Sequence, residues 1–222
     1  ECYCARNGRH SKLASQDDRS GWHLIVLAKN KNGYKNLIKM VSLSWTEGFY
    51  GRPRIDKELL EKYHEDLIIC SACLGGEIPQ HIMHGRIDKA EESIKWFKNL
   101  FGEDYYLEMQ RHETHDPNAD CTIFPHQQEV LIELAHKYNI KLIATNDVHF
   151  VNADDAEAHD RLICLSTGKD LDDPKRMRYS KQEWMKTTAE MNTIFADIPE
   201  ALSNTLEIAD KIEFYSIDSG PI

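Results

Sequence analysis

Short apolar runs alternate with longer amphipathic stretches along the chain. The run His23-Leu24-Ile25-Val26-Leu27-Ala28 has strand character, and from about Lys31 to Trp45 the residues Leu37, Met40, Val41 and Ser44 recur at helical spacing. Pro53 and Asp56 open a short helix over Lys57 to Tyr63. The run Asp66 to Ser71 predicts a buried strand, because it is short, apolar and leads to Gly75-Gly76. A further helix is predicted from about Ile87 to Phe101, with Ala90, Ile94, Phe97 and Phe101 on one face and Gly102 as its stop. Then follow a strand over Tyr105 to Gln110, a polar loop at 111–122, a helix near 125–138 and a strand over Lys141 to Thr145. Such alternation is the pattern of parallel βαβ units and predicts an α/β fold, either an open sheet or a barrel. From about Asp154 the pattern is mainly helical, with a break at Gly168, a polar turn at 170–176 and a last helix from Pro199 to Lys211.

Composition narrows this picture. At 222 residues, 41% hydrophobic and 29% charged, the chain has the balance of one globular domain and of neither a disordered nor a membrane protein. Its longest apolar runs are strand-sized, so no bilayer span and no membrane partner is expected. Six cysteines at irregular positions suggest reduced thiols and a cytoplasmic location. The formal charge of −10 argues against a surface that grips a nucleic-acid backbone unaided. The opening Glu1-Cys2-Tyr3-Cys4 reads as part of a strand, which leads us to expect a chain cut from a longer one.

Loops after parallel strands are where chemistry gathers in such folds. Two of them carry donor residues. Cys70 and Cys73 follow the strand at 66–71, and Asp147 and His149 follow the strand at 141–145. Residues two apart in an extended segment offer a carboxylate and an imidazole to one side, so Asp147 and His149 fit either a metal pair or a capped loop with a bonded histidine. The Cys70/Cys73 pair fits a metal or redox site, or two packed thiols, and no second C-x-x-C completes a zinc knuckle. His112, His115, Cys121 and His126 are spaced irregularly in a polar loop and read as a solvated surface insertion. Asp56, Glu61, Glu65, Glu91 and Glu92 read as exposed helix charges. No glycine-rich phosphate loop or nucleophile elbow is present.

Several segments, in order, carry a likeness to a known family: Trp22 to Asn30, Gly33 to Leu37, Glu47 to Ile55, Ser71 to Pro79, Ala144 to His149, Ala156 to Asp160 and Thr167 to Lys169. Together they resemble the PHP (polymerase and histidinol phosphatase) domain of bacterial DNA polymerase III alpha subunits. The resemblance implies a partial, distorted seven-stranded β/α barrel spanning 1–222, with a helical part from about 154 leading toward a polymerase palm. It implies metal ligands at Glu1, His23, Cys73, Asp147 and His149, for up to three zinc or manganese ions in an intact site. It further implies a DNA-directed DNA polymerase as parent, using magnesium at a site outside this chain. DNA, a proofreading exonuclease and a sliding clamp would be its partners. The domain itself would be a metal-dependent 3′–5′ exonuclease or pyrophosphatase, or a scaffold; a free-standing phosphatase of the histidinol-phosphate type is the alternative. The family's H-x-H and D-H motifs would precede Glu1, so the chain alone is expected to be inactive, with no catalytic residues beyond the ligands.

Overall fold

The computed structural model describes residues 1–14, 19–112 and 125–218. Five strands form one open sheet in sequence order: β1 (Cys2–Cys4), β2 (Trp22–Ala28), β3 (Leu67–Cys70), β4 (Tyr105–Gln110) and β5 (Lys141–Thr145). Eight α-helices accompany them among the described residues: α1 (Lys31–Thr46), α2 (Lys57–Tyr63), α3 (Glu77–Met83), α4 (Ile87–Phe101), α5 (Pro125–Tyr138), α6 (Ala156–Thr167), α7 (Thr188–Ile194) and α8 (Pro199–Asp210). The α/β class and the mainly helical C-terminal part are as the pattern predicts. The sheet does not close into a barrel among these residues.

One strand departs from the expected all-parallel order. β3, β4 and β5 pair in parallel, but β2 runs antiparallel to both β1 and β3. The cause is a double return. A single helix between two strands brings the chain back for a parallel partner, and α1 makes that return over 16 residues, or about 24 Å. Residues 54–55 then run beside β1, where Ile55 donates its N–H to the Tyr3 carbonyl and accepts from the Ala5 N–H. From there α2 carries the chain back again, so β3 starts beside Ala28, where β2 ends.

Local chemistry explains the boundaries. Asn30 caps α1 by accepting from the N–H groups of Asn32 and Gly33, and Asp56 caps α2 by accepting from Leu59. Asp56 is not the exposed charge expected of it. It is buried and held by the Arg9 guanidinium at 3.1 Å. Gly102 and Gly168 end α4 and α6 with positive φ, as their positions in the sequence suggest. The helical face read on α1 also shifts: Met40 and Ser44 are buried, whereas Val41 is exposed.

Strand alternation divides the sheet into two faces. Leu24, Val26, Leu67, Ile69, Tyr105, Leu107, Met109 and Leu142 join the main core with side chains of α1 to α5. Ile68, Cys70, Tyr106 and Ile143 face the other way and pack with Ile208 of α8, flanked by Ile25 and Leu27. Glu207 locks α8 in place by accepting from the Tyr106 hydroxyl at 2.7 Å and pairing with Lys141.

The corner between β2 and α1 has no spare room. A methyl group on Gly33 would lie 2.1 Å from the Asp66 carbonyl oxygen, whereas one on Gly85, at φ +66, would meet nothing within 4 Å. Gly33→Ala should therefore lower stability by about 3 kcal/mol through overpacking, against about 1 kcal/mol for the left-handed strain of Gly85→Ala. Urea denaturation of both variants measures the gap, and equal losses would contradict the close packing at Asp66.

Candidate metal and phosphoryl site

Because β2 is reversed, its first residues lie at the same end of the sheet as the loops that follow β3 and β5. His23 bridges to Gly76 there, donating its backbone N–H to the Gly75 carbonyl at 2.9 Å. Its Nδ1 lies 2.7 Å from Glu1 Oε1 and 3.5 Å from Cys73 Sγ. A carboxylate, an imidazole and a thiol thus meet at one nitrogen. Asp147 joins Glu1 and Cys73 in lining a cavity of about 190 Å³, whose remaining wall is Ile25, Ala72, Glu108, Gln110 and Thr145.

His149 is placed differently. The expectation of an extended Asp147–His149 segment fails at Asp147, whose φ is +45°, so simple alternation does not apply. His149 does not line the cavity. Its Nδ1 lies 2.6 Å from the Asp147 carbonyl and its Nε2 lies 3.3 Å from the Tyr179 hydroxyl. The His149, His159 and Tyr179 rings form a cluster with centroids 4.7 to 5.5 Å apart. Among the described residues, no three His, Cys, Asp or Glu side chains stand in an arrangement that would hold a metal ion.

Glu108, unmentioned in the sequence reading, organises the loop after β3. Its carboxylate accepts from the Ala72 N–H and the Thr145 hydroxyl, both at 2.9 Å, and its own N–H donates to Ser71 Oγ at 2.8 Å. Ala72 has a φ of +63°, and the Glu108 contact helps to fix that conformation and hence the Cys73 that follows. A carboxylate inside a strand pattern, Tyr105 to Gln110, was the available signal.

His112 corrects another expectation. It is buried, with Nε2 3.1 Å from the Asn146 carbonyl and Nδ1 3.4 Å from Glu183. The histidine, two residues beyond the end of buried β4, packs under the Asn146 loop. The other residues read as part of that surface insertion, His115, Cys121 and the His126 side chain, lie outside the described residues. Glu183 also accepts from Ser180 and, through its carbonyl, from the His149 N–H at 2.8 Å, so residues 180–184 brace the loop that carries Asp147 and His149.

The cavity disfavours negative charge. Burial, together with nearby Glu1 and Glu183, raises the pKa of Asp147, and burial raises that of Glu108. Burial is also the main cause that pushes the Cys73 thiol up to about 11, with Asp147 the next. His23 is shifted down, chiefly by burial, with the charge of Arg52 acting in the same sense and Glu1 and Asp147 opposing. A nitrogen, sulfur and oxygen donor set crowded with acidic groups suits a divalent cation, whose charge would relieve each of these upward shifts. Cys2, Cys4, Cys70 and Cys164 are buried and, like Cys73, free; Cys70 lies in the second core, away from this cavity.

Comparison with known proteins gives the family of the chain. The PHP domain model matches residues 2–112, and the chain belongs to the PHP domain family. It is 43% identical to the DNA polymerase III subunit alpha of Borreliella burgdorferi over all of the chain and 19% of that protein. It is 40% identical to the same subunit of Campylobacter jejuni, over 91% of the chain and 17% of the relative. For the Thermus aquaticus subunit the identity is 37%, over 94% and 17% respectively. The chain thus spans about a fifth of the length of these curated relatives, and none of the three supports the free-standing phosphatase.

Removing the Glu108 acceptor should disturb the cavity wall. Glu108→Leu leaves the Ala72 N–H unsatisfied and should cost about 2 kcal/mol, whereas Glu108→Gln retains an acceptor and should stay within about 0.5 kcal/mol of the parent. Equal losses in chemical denaturation would show that the hydrogen bond to Ala72 carries no weight.

Proposed function

We propose that the chain is the PHP domain of a DNA polymerase III alpha subunit and that its cavity is a divalent-cation site serving phosphoryl chemistry on DNA. The observation that carries this reading is the meeting of Glu1 and Cys73 at His23 Nδ1, in one cavity with Asp147. Glu1, His23 and Cys73 would hold the first ion once their side chains closed from the present, non-chelating arrangement, with Asp147 as a further oxygen donor and His149 recruited from Tyr179. Zinc or manganese suits this mixture of donors. When bound, such an ion supplies Lewis-acid activation of water and neutralises charge on a phosphoryl oxygen.

The chain's own residues prepare that chemistry. Glu1 orients the His23 ring through its Nδ1. Glu108 fixes the backbone at Ala72 and so the approach of Cys73. The Asn146 side chain, which donates to the carbonyls of Gln182 and Trp184 at 3.0 and 2.7 Å, holds the loop from which Asp147 enters. Phosphodiester hydrolysis of the 3′–5′ exonuclease type is the reaction this site supports best. DNA synthesis itself would belong to magnesium-dependent residues elsewhere in a longer cytoplasmic polypeptide, alongside a proofreading exonuclease and a sliding clamp.

The reading is tested on the longer polypeptide. Elemental analysis should show less zinc or manganese after Cys73→Ser, and after Asp147→Asn combined with His149→Ala, while primer extension persists. Cys70→Ser should leave metal content unchanged and instead destabilise the fold by about 1–3 kcal/mol, since it puts a hydroxyl among buried strand residues. Undiminished metal in the Cys73 and Asp147 variants rejects the site, and absence of primer extension by the unaltered protein rejects the polymerase assignment.

A further inference from the structure

Four arginines of this acidic chain are tied to acids or carbonyls. Arg9 is held by Glu47, Asp56 and Glu58, Arg111 by Asp197 and Arg176 by Asp160, while Arg54 donates to the carbonyls of Arg9, Ser11 and Gly48. Arg52 and Arg19 are different. Among the described residues each meets an aromatic ring and no acidic partner. The Arg52 guanidinium carbon lies 4.2 Å from the centre of the Tyr3 ring, and that of Arg19 lies 5.3 Å from the centre of Tyr50.

These four residues form a continuous rim. Tyr50 and Arg52 are bridged across Gly51, whose φ of +77° makes the tight turn, and a methyl group on Gly51 would lie 3.5 Å from Arg19 Cβ. Tyr3 in turn stands edge-on to His23, with centroids 4.9 Å apart and planes at 85°. The rim therefore runs from exposed Arg19, past the half-buried Tyr50, Arg52 and Tyr3, to the histidine that meets Glu1 and Cys73.

We propose that the rim of Arg19, Tyr50, Arg52 and Tyr3 binds a single-stranded polynucleotide and leads it to the Glu1, His23 and Cys73 cluster. This rests on the phosphoryl reading of that cluster and names its substrate class. The chemistry is specific to such a ligand. A guanidinium laid on a ring keeps its planar fork of N–H donors, which matches two phosphate oxygens, and is weakly hydrated, so little is lost on exchanging water for phosphate. Tyrosine faces stack on bases without regard to sequence, and alternation of basic and aromatic groups is the way single strands are held. A duplex would need a broad basic surface, which a chain of formal charge −10 does not offer. Two arginines on one rim suit a short stretch of flexible strand.

The test uses the 222-residue chain in EDTA, so that its outcome is independent of any bound ion and of polymerase activity. Fluorescence anisotropy with a labelled twelve-nucleotide oligothymidylate should show binding that weakens with salt, with a log–log slope of about −1.4 for two phosphates on a single strand. Arg52→Gln and Arg19→Gln should each reduce that slope by about 0.7 and weaken binding about fivefold or more. Arg52→Lys should fall between, because it keeps charge but not the stacked fork. Arg19 is exposed, so its variant reports on the rim even if Arg52→Gln fails to fold. Thymidine monophosphate and inorganic phosphate serve as competitors and should be much weaker than unlabelled oligonucleotide. Binding unaffected by Arg19→Gln, absence of binding at low salt, or equal competition by inorganic phosphate would each overturn the proposal.

Discussion

The site depends on the reversal of one strand. β1, β3, β4 and β5 all point the same way, and β2 alone opposes them. Had β2 been parallel, its first residue pair would lie at the far end of the sheet, and His23 could not meet Cys73 from the loop after β3. The reversal follows from a second return, through residues 54–55 and α2, between β2 and β3. The close fit of Gly33 on Asp66 seals the end of that excursion, so packing at one end of the sheet sets chemistry at the other.

Electrostatics at the cavity run against the usual preference for solvated charge. Glu108 and Asp147 sit where burial raises their pKa, and Cys73 shares that environment. Such clustering is costly to fold and is typical of functional sites, where an arriving cation or a proton supplies the missing positive charge. The arginine held on Tyr3 lies just outside the acidic group, which gives the site a sign change over a short distance.

Much of the architecture was legible because periodicity and punctuation agreed. Lys57–Tyr63, Ile87–Phe101 and Lys141–Thr145 appear with the bounds their patterns suggest, and the stops at Gly102 and Gly168 are real. Helices α3 and α7, seven residues each, were not resolved as separate elements; α2 is equally short, but Pro53 and Asp56 mark its start. Strand direction left no local trace, so the positions of His23 and Glu1 had no explanation in the pattern itself and came only through the family resemblance. Glu108 was overlooked and His112 was misread as exposed, for opposite reasons. The first is a charge inside an otherwise apolar strand, and the second is a buried ring at the threshold of a polar loop. In both cases tertiary neighbours, Ala72 and Thr145 for one and Asn146 and Glu183 for the other, decide what the residue does.

The backbone contact of Ile55 with Tyr3 and Ala5 has a bearing on how this domain meets other molecules. Beyond β1 the donor and acceptor groups of Tyr3 and Ala5 are already engaged by residue 55, and beyond β5 the Leu142 carbonyl accepts from the Asn204 amide at 2.8 Å. A foreign strand seeking to extend the sheet would find both margins partly occupied. At these positions, association with other chains is steered toward side-chain surfaces and away from β-addition.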